Sequence, residues 1–389
     1  MTCYGGGHVR LIEPLYQHLK VFYDITILAL TSAGDYLDAK GVPYIRLSDF
    51  PELSTSKVVS YGRQLSADME PSTVVPYKET VVYMGCSYTQ LIEEHGEEEA
   101  ALRYEKSGRR AFLPTKALRF LLDKFSPDIV VTTTAPRGEL ASLVAAKQLN
   151  IPTLCIANGV WVRGTAGSIG LVGIARQQLS DIICVCAAPV KDMLLSDCPD
   201  YVGKIMITGS PAFDFIKKLE RKEFNANDTK VILFADWYLP VYEGTKNYPD
   251  LRRALRNELD RLAFKNGWKI LFRPHPNQNY AYDMYENIEV SLPSEPLHDL
   301  LMEVDVVVTS VSTVGLEGRI AGTGLVSVEN TVYSEECSYA ELGFSTGINS
   351  VDELEAAIES ELGKERSMSK LYDGVAAENI KHIIDELLN

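Results

Sequence analysis

Three short segments hold the residue types that move protons and bind anions, and each follows an apolar run. Gly5-Gly6-Gly7-His8 opens the amphipathic stretch Val9–Leu19. Glycines at such a turn let a ligand approach backbone, and a helix N-terminus favours negative charge. The triplet is not the dinucleotide GxGxxG pattern, and no Gly-Lys-Ser/Thr follows to make a P-loop. His8 is of a type that takes a proton from a hydroxyl near neutral pH, or that caps the helix. Arg273-Pro274-His275-Pro276-Asn277 follows KILF. Its prolines stiffen the backbone on both sides of His275, which beside Arg273 can donate to phosphate or fill a turn. Thr309-Ser310-Val311-Ser312-Thr313-Val314-Gly315-Leu316-Glu317 follows VDVVV. Hydroxyls and the first helical amides there make an anion cradle, or an ordinary Ser/Thr cap with a following Glu. Glu317, one turn in, is placed to accept hydroxyls from a ribose.

Two further segments end apolar runs in the same way. Phe234-Ala235-Asp236-Trp237-Tyr238 presents Asp236, and Thr132-Thr133-Thr134-Ala135-Pro136-Arg137-Gly138-Glu139 closes a strand in the first half. Ala157-Asn158-Gly159-Val160-Trp161 has the composition of a plain turn.

The elements that position these segments follow from periodicity. Strand-like runs YDITILAL, VPYIRL, DIVVTTT, PTLCIAN, DIICVCA and KIMITGS alternate with helical segments at Val9–Leu19, Pro114–Lys124, Glu139–Leu149, Gly170–Leu179 and Pro189–Leu195. VILFAD, WKILFRP, IEVSL, VDVVVTS and GLVSV continue the alternation with helices at Asp250–Asn266, Pro296–Met302, Val314–Ala321 and Val351–Leu362. This predicts an α/β protein of two doubly wound, Rossmann-like domains with parallel sheets, ligands binding beyond the strands' carboxyl ends. The domains are expected at 1–218 and 226–372, joined through the charged stretch 215–230, with a closing helix within 373–389 and the site in the cleft they face across. Residues 60–112 interrupt the pattern with tyrosines, an acidic run (Glu93–Glu99) and the basic cluster Lys106, Arg109 and Arg110. They read as a pair of helices with solvated charged faces, or as an insertion where aromatics and arginine hold an acceptor.

Composition bounds the function. The 389 residues suit two domains, and 46% hydrophobic with 23% charged residues excludes wholesale disorder. Lys plus Arg number 38 against 53 Asp plus Glu, a net charge of −15, which argues against a nucleic-acid partner. A small phosphate compound stays admissible because local geometry holds it. The N-terminus lacks a basic segment before an apolar run, and the few residues ahead of the glycines imply a start inside the first strand. Apolar runs are strand-sized, far below the roughly 20 residues of a membrane span. Seven scattered cysteines, several inside apolar strands, read as buried thiols of a reducing cytoplasm.

The same segments resemble those of the GT-B glycosyltransferases. Gly5-Gly6-Gly7-His8 before a helix is similar to the N-terminal Gly-Gly-His segment of the N-acetylglucosamine transferase of peptidoglycan synthesis. Ser310 to Glu317, then Ala321-Gly322 and GLVSV, is similar to their donor-binding segment. Arg273-Pro274-His275-Pro276 with Ser312-Thr313 resembles the His-Pro and Ser motifs of bacterial sialyl- and Kdo-transferases. Hydrolysing UDP-GlcNAc 2-epimerases have a related His-Pro-Asn segment, and ITGSPAFD (207–214) is similar to the end of their N-terminal domain. Their N-terminal Gly-Thr-Arg-Pro-Glu segment has no counterpart here.

The resemblance implies a metal-independent, inverting GT-B transferase that builds a bacterial surface polysaccharide, such as capsule or lipopolysaccharide, from a UDP- or CMP-linked sugar, with no further cofactor. It implies His8 as base with Asp236 in reserve. Gly6, Gly7, Arg273, His275, Ser310, Ser312, Thr313, Glu317 and Glu329 would contact the nucleotide sugar. The acceptor would be a glycan or lipid-linked molecule, the enzyme cytoplasmic or at the inner face of the membrane through a weak contact, with a homo-oligomer compatible. The alternatives are a hydrolysing 2-epimerase, a CDP-polyol phosphotransferase and a non-catalytic sugar-nucleotide binding protein.

Overall fold

A computed structural model describes residues 1–134, 136–157, 159–160, 166–216, 219, 228–237, 239, 248–275, 285–292, 295–334, 337–364 and 374–388. Ala135, Asn158, Trp161, Tyr238, Pro276, Asn277 and most of the stretch 215–230 lie outside them. Two compact units divide the chain: Met1–Val160 with Ala166–Ala212 and Val375–Asn389, and Phe213–Gly374. The change of unit therefore falls at Ala212, ahead of the charged stretch, and the closing helix is part of the first unit.

The first unit begins with β1 (Thr2–Cys3), α1 (Gly7–Leu19), β2 (Leu28–Ala29) and α2 (Ala33–Ala39). Helices α3 (Ser56–Ser66), α4 (Tyr77–His95), α5 (Glu97–Ser107) and α6 (Thr115–Phe125) follow. The alternation resumes with β3 (Val130–Thr132), α7 (Gly138–Gln148), β4 (Thr153–Ile156), α8 (Ala166–Arg176), β5 (Ile182–Val185), α9 (Ala188–Asp197) and β6 (Lys204–Ile207). The strands form one six-stranded sheet in the order β2-β1-β3-β4-β5-β6, parallel throughout. Every residue of β3, β4 and β5 is buried, as β-branched runs covered on both faces require.

VPYIRL forms no strand. Ile45 makes an isolated parallel bridge to Leu28, and Pro43 lacks the backbone donor a ladder needs. The insertion is built of α3, α4 and α5 rather than two solvated helices. Its first two helices pack tightly enough that a β-carbon on Gly62 would meet Val81 O at 1.9 Å, and one on Gly85 would meet Val58 O at 2.0 Å.

The second unit contains β7 (Val231–Ala235), α10 (Arg252–Asn266), β8 (Lys269–Arg273), β9 (Ile288–Val290), α11 (Leu297–Glu303), β10 (Val306–Thr309), α12 (Thr313–Ile320), β11 (Gly324–Val328), β12 (Thr346–Ile348) and α13 (Leu354–Leu362). Its parallel sheet runs β12-β11-β10-β7-β8-β9. The chain then returns to the first unit as α14 (Ala376–Leu388), whose Ala377, Ile380, Ile383 and Ile384 join the core that Val9, Ile12 and Leu15 of α1 occupy. His18 meets Glu378 at 2.9 Å beside that contact. All seven cysteines are buried thiols.

Candidate active site at the sheet switch points

In a doubly wound sheet, two adjacent strands whose connections leave in opposite directions open a crevice at their carboxyl ends. In the first unit that pair is β1 and β3, with Thr2 opposite Thr132. The loop after β1 carries the glycines. Gly5 lies against the next loop so closely that a β-carbon would meet Ser32 Oγ at 2.0 Å, and Gly6 has a φ of +67°. Helix α1 starts at Gly7 with no side-chain cap at Gly6, leaving its first amides unclaimed by such a cap. His8 follows in the first turn.

The loop after β3 reaches the same place. Glu139, fully buried, accepts the Tyr4 backbone N–H at 2.8 Å and the Thr133 hydroxyl at 2.6 Å. Thr133 Oγ1 is also hydrogen-bonded to His8 Nδ1. Because Thr133 has one hydrogen and gives it to Glu139, its oxygen accepts from His8. Nδ1 therefore carries a hydrogen, and in the neutral imidazole the lone pair is on Nε2, the arrangement a general base needs. Gly138 N–H donates to Tyr4 Oη at 3.0 Å, and the Tyr4 and Tyr83 hydroxyls lie 2.9 Å apart. The sequence singled out His8 and the threonine-rich loop. It gave no signal that Thr133 and Glu139 would stand behind His8, since a Glu in the first turn of a helix is ordinary.

The corresponding pair in the second unit is β7 and β10. Asp236, buried after β7, donates its backbone N–H to Arg273 O at 2.9 Å. His275, just past β8, is held below the usual imidazole range by burial, which the Asp236 carboxylate partly offsets. Arg273 donates to Ser291 Oγ at 3.1 Å and Glu295 O at 2.9 Å. Burial works against its charge while Glu295 and Glu317 favour it. Ser312 caps α12 through Val314 N–H at 3.3 Å, and Thr313 is exposed at the helix start.

Three residues read from sequence as ligand contacts have engagements of their own. Ser310 is fully buried, its hydroxyl donating to Val328 O at 3.3 Å and bonded to Thr331 Oγ1 at 3.0 Å. Glu329 takes the Ala340 N–H at 3.2 Å and the Ser327 hydroxyl. Glu317 Oε2 meets His298 Nε2 at 2.8 Å, and His298 in turn stands edge-on to Phe215, ring centres 4.3 Å apart. His298, inside a segment read only as helix, was not foreseen. Among the described residues no group of three or more His, Cys, Asp or Glu side chains could hold a metal ion, and no helix is long and apolar enough to cross a membrane.

Solved structures share this fold over nearly the whole chain. The UDP-GlcNAc 2-epimerase of Methanocaldococcus jannaschii is 15% identical with a TM-score of 0.61, over 99% of this chain and 98% of that one. The Neisseria meningitidis UDP-GlcNAc 2-epimerase bound to UDP-GlcNAc is 16% identical with a TM-score of 0.59, over 99% of both chains. The glycotransferase of kitacinnamycin is 14% identical with a TM-score of 0.57, over 100% of this chain and 98% of that one. This chain has the GT-B fold. No protein-family model and no curated protein matches it in sequence. Within the GT-B fold, the two switch points described above are where the chemistry-bearing residues collect.

Proposed function

We propose that this chain is an enzyme acting on a nucleotide sugar, and that it transfers the sugar to an acceptor hydroxyl. The observation that carries the transfer reading is the Glu139–Thr133–His8 chain, which fixes the imidazole tautomer and leaves Nε2 as a base. The first unit supplies that base. The second supplies donor groups: Arg273, His275, the amides opening α12, and Glu317 for the ribose.

In the transfer step the acceptor O–H bond breaks as its proton moves to His8 Nε2, and the acceptor oxygen bonds to the anomeric carbon. The bond from that carbon to the nucleotide breaks, and its electron pair leaves on the phosphate oxygen. A single displacement of this kind inverts the anomeric centre. Charge growing on the leaving phosphate is met by Arg273 and by helix-terminal amides fixed in place beforehand. Asp236 is the reserve base. The acceptor class is a glycan or lipid-linked molecule, as in surface-polysaccharide assembly, at work in the cytoplasm.

The second reading is hydrolytic 2-epimerisation, favoured by the structures sharing the fold, most of which are UDP-GlcNAc 2-epimerases, those of Methanocaldococcus jannaschii, Neisseria meningitidis and Rickettsia bellii among them. Against it, Glu139 spends its carboxylate on Tyr4 N–H and Thr133 rather than offering it to a sugar C2 proton. Incubation with UDP- and CMP-sugars, with and without glycan acceptors, separates the two. Acceptor-dependent release of nucleotide supports transfer. Conversion of UDP-GlcNAc to ManNAc and UDP without acceptor overturns it.

A further inference from the structure

Arg137 occupies a backbone conformation suited to glycine. Its φ of +68° and ψ of −105° lie where residues bearing a β-carbon rarely go. The neighbouring switch-point loop turns in nearly the same way, and there Gly6 takes the position with φ 67° and ψ −133°. Each residue immediately precedes a helix, α1 or α7, and the strands before them are paired. The turn therefore has no need of an arginine. One kept there at the expense of backbone strain implies that its side chain is used.

The guanidinium has unmet capacity. Arg137 Nε is buried without a hydrogen-bond partner, and its guanidinium carbon lies 5.8 Å from the centre of the Tyr4 ring. No carboxylate among the described residues forms an ion pair with it. The Tyr4 and Tyr83 hydroxyls share one hydrogen in their mutual bond, which leaves the other to donate outward. Burial and the neighbouring Tyr4 hydroxyl push the Tyr83 phenol far above its ordinary range, with Arg137 and Arg109 opposing that rise. Arg109 is exposed, in the short turn Gly108–Ala111 at the end of the insertion.

We propose that Arg137 and the Tyr4–Tyr83 hydroxyl pair form an oxyanion site in the first unit that takes a phosphate or carboxylate group of the acceptor. This rests on the reading of His8 as the base for that acceptor. The site adjoins His8 through Glu139, whose Oε1 accepts Tyr4 N–H at 2.8 Å and lies 3.7 Å from His8 Nδ1. A guanidinium with open N–H groups suits the planar edge of a carboxylate or two oxygens of a phosphate. On a chain of net charge −15, such a local cation is what distinguishes an anionic acceptor from a neutral one.

The test is calorimetric titration of the full chain with inorganic phosphate, glucose 1-phosphate and glucuronate, on wild type, Arg137→Gly and Arg273→Gln. Arg137→Gly removes the backbone strain, so its melting temperature should equal or exceed that of wild type while oxyanion affinity falls about tenfold or more. Arg273→Gln, in the second unit, should leave this Arg137-dependent binding unchanged. Preference for glucose 1-phosphate assigns a phosphorylated acceptor, and preference for glucuronate an acidic glycan. Equal binding of every probe by wild type and Arg137→Gly overturns the site. Arg137-dependent binding in a chain that binds no nucleotide would keep the site and remove the transferase reading.

Discussion

Thr133 gives its hydroxyl hydrogen to the buried carboxylate of Glu139 at 2.6 Å, and so can only accept from His8 Nδ1. The imidazole is thus oriented through a hydroxyl, with the carboxylate one bond further back. Thr133→Val keeps the shape of the side chain and removes this relay. Turnover should fall by about 10- to 100-fold, with nucleotide affinity unchanged, because tautomer and ring orientation are lost while the imidazole stays. His8→Gln should cost more, about 100-fold or above, since it removes the proposed base. Steady-state rates set beside calorimetric nucleotide affinities decide the matter. An unchanged kcat in Thr133→Val would make the threonine contact structural.

Glu317 and His298 form the matching pair in the second unit, at 2.8 Å. His298 takes one carboxylate oxygen, and on the proposed reading Oε1 meets the ribose hydroxyls. Glu317→Gln should weaken UDP or CMP binding by about 1–3 kcal/mol, the range for a charge-assisted hydrogen bond. The 2′-deoxy nucleotide should be affected less. Binding isotherms for the ribo and deoxy forms test this directly, and equal losses for both would take Glu317 away from the ribose.

How far the sequence reached depended on the kind of information each residue carries. Runs such as Ile182–Val185 and Val306–Thr309 announce themselves because strands covered on both faces must be apolar throughout. Thr346–Ile348 was missed because its threonine and glycine carry no such signature on a sheet edge. His8 was legible because glycines mark a strand-to-helix turn. Glu139 and His298 were not, since what distinguishes the first is burial and a partner, Tyr4, 135 residues away, and the second a partner on a neighbouring helix. Hydroxyls mislead for the same reason: Ser310 sits in a loop composed like an anion cradle, yet its own oxygen is tied to Thr331.

His275 links the second unit to pH. Burial lowers its pKa, with Asp236 opposing, so the unfolded chain binds this proton more readily than the ligand-free fold. Its contribution to stability is accordingly present above the ordinary imidazole pKa and lost as pH falls through the lowered folded value. A bound phosphate favours the charged imidazole, so nucleotide binding should take up a proton and strengthen as pH falls from about 7.5 to about 6. Calorimetry in two buffers of different ionisation enthalpy measures the uptake. His275→Gln should abolish it, and uptake that persists in that variant would assign the proton to another group.

The insertion offers a prediction independent of any ligand. Gly62 of α3 and Gly85 of α4 face the backbone carbonyls of Val81 and Val58, at 1.9 Å and 2.0 Å from where a β-carbon would stand. The two contacts are reciprocal: each helix puts a glycine against the carbonyl of the other, and backbone cannot rotate away as a flexible side chain would. In an exposed helix interior, replacing glycine by alanine stabilises by roughly 0.5–1 kcal/mol through backbone entropy. Here the sign should reverse, because the helices must separate to admit the methyl group. Gly62→Ala and Gly85→Ala should each destabilise by about 1–3 kcal/mol, the range for overpacking. Because both substitutions force the same separation, the double variant should lose less than the sum of the two. Denaturant midpoints of the three variants check both statements, and a stabilised Gly62→Ala would show that the helices move apart without loss of packing.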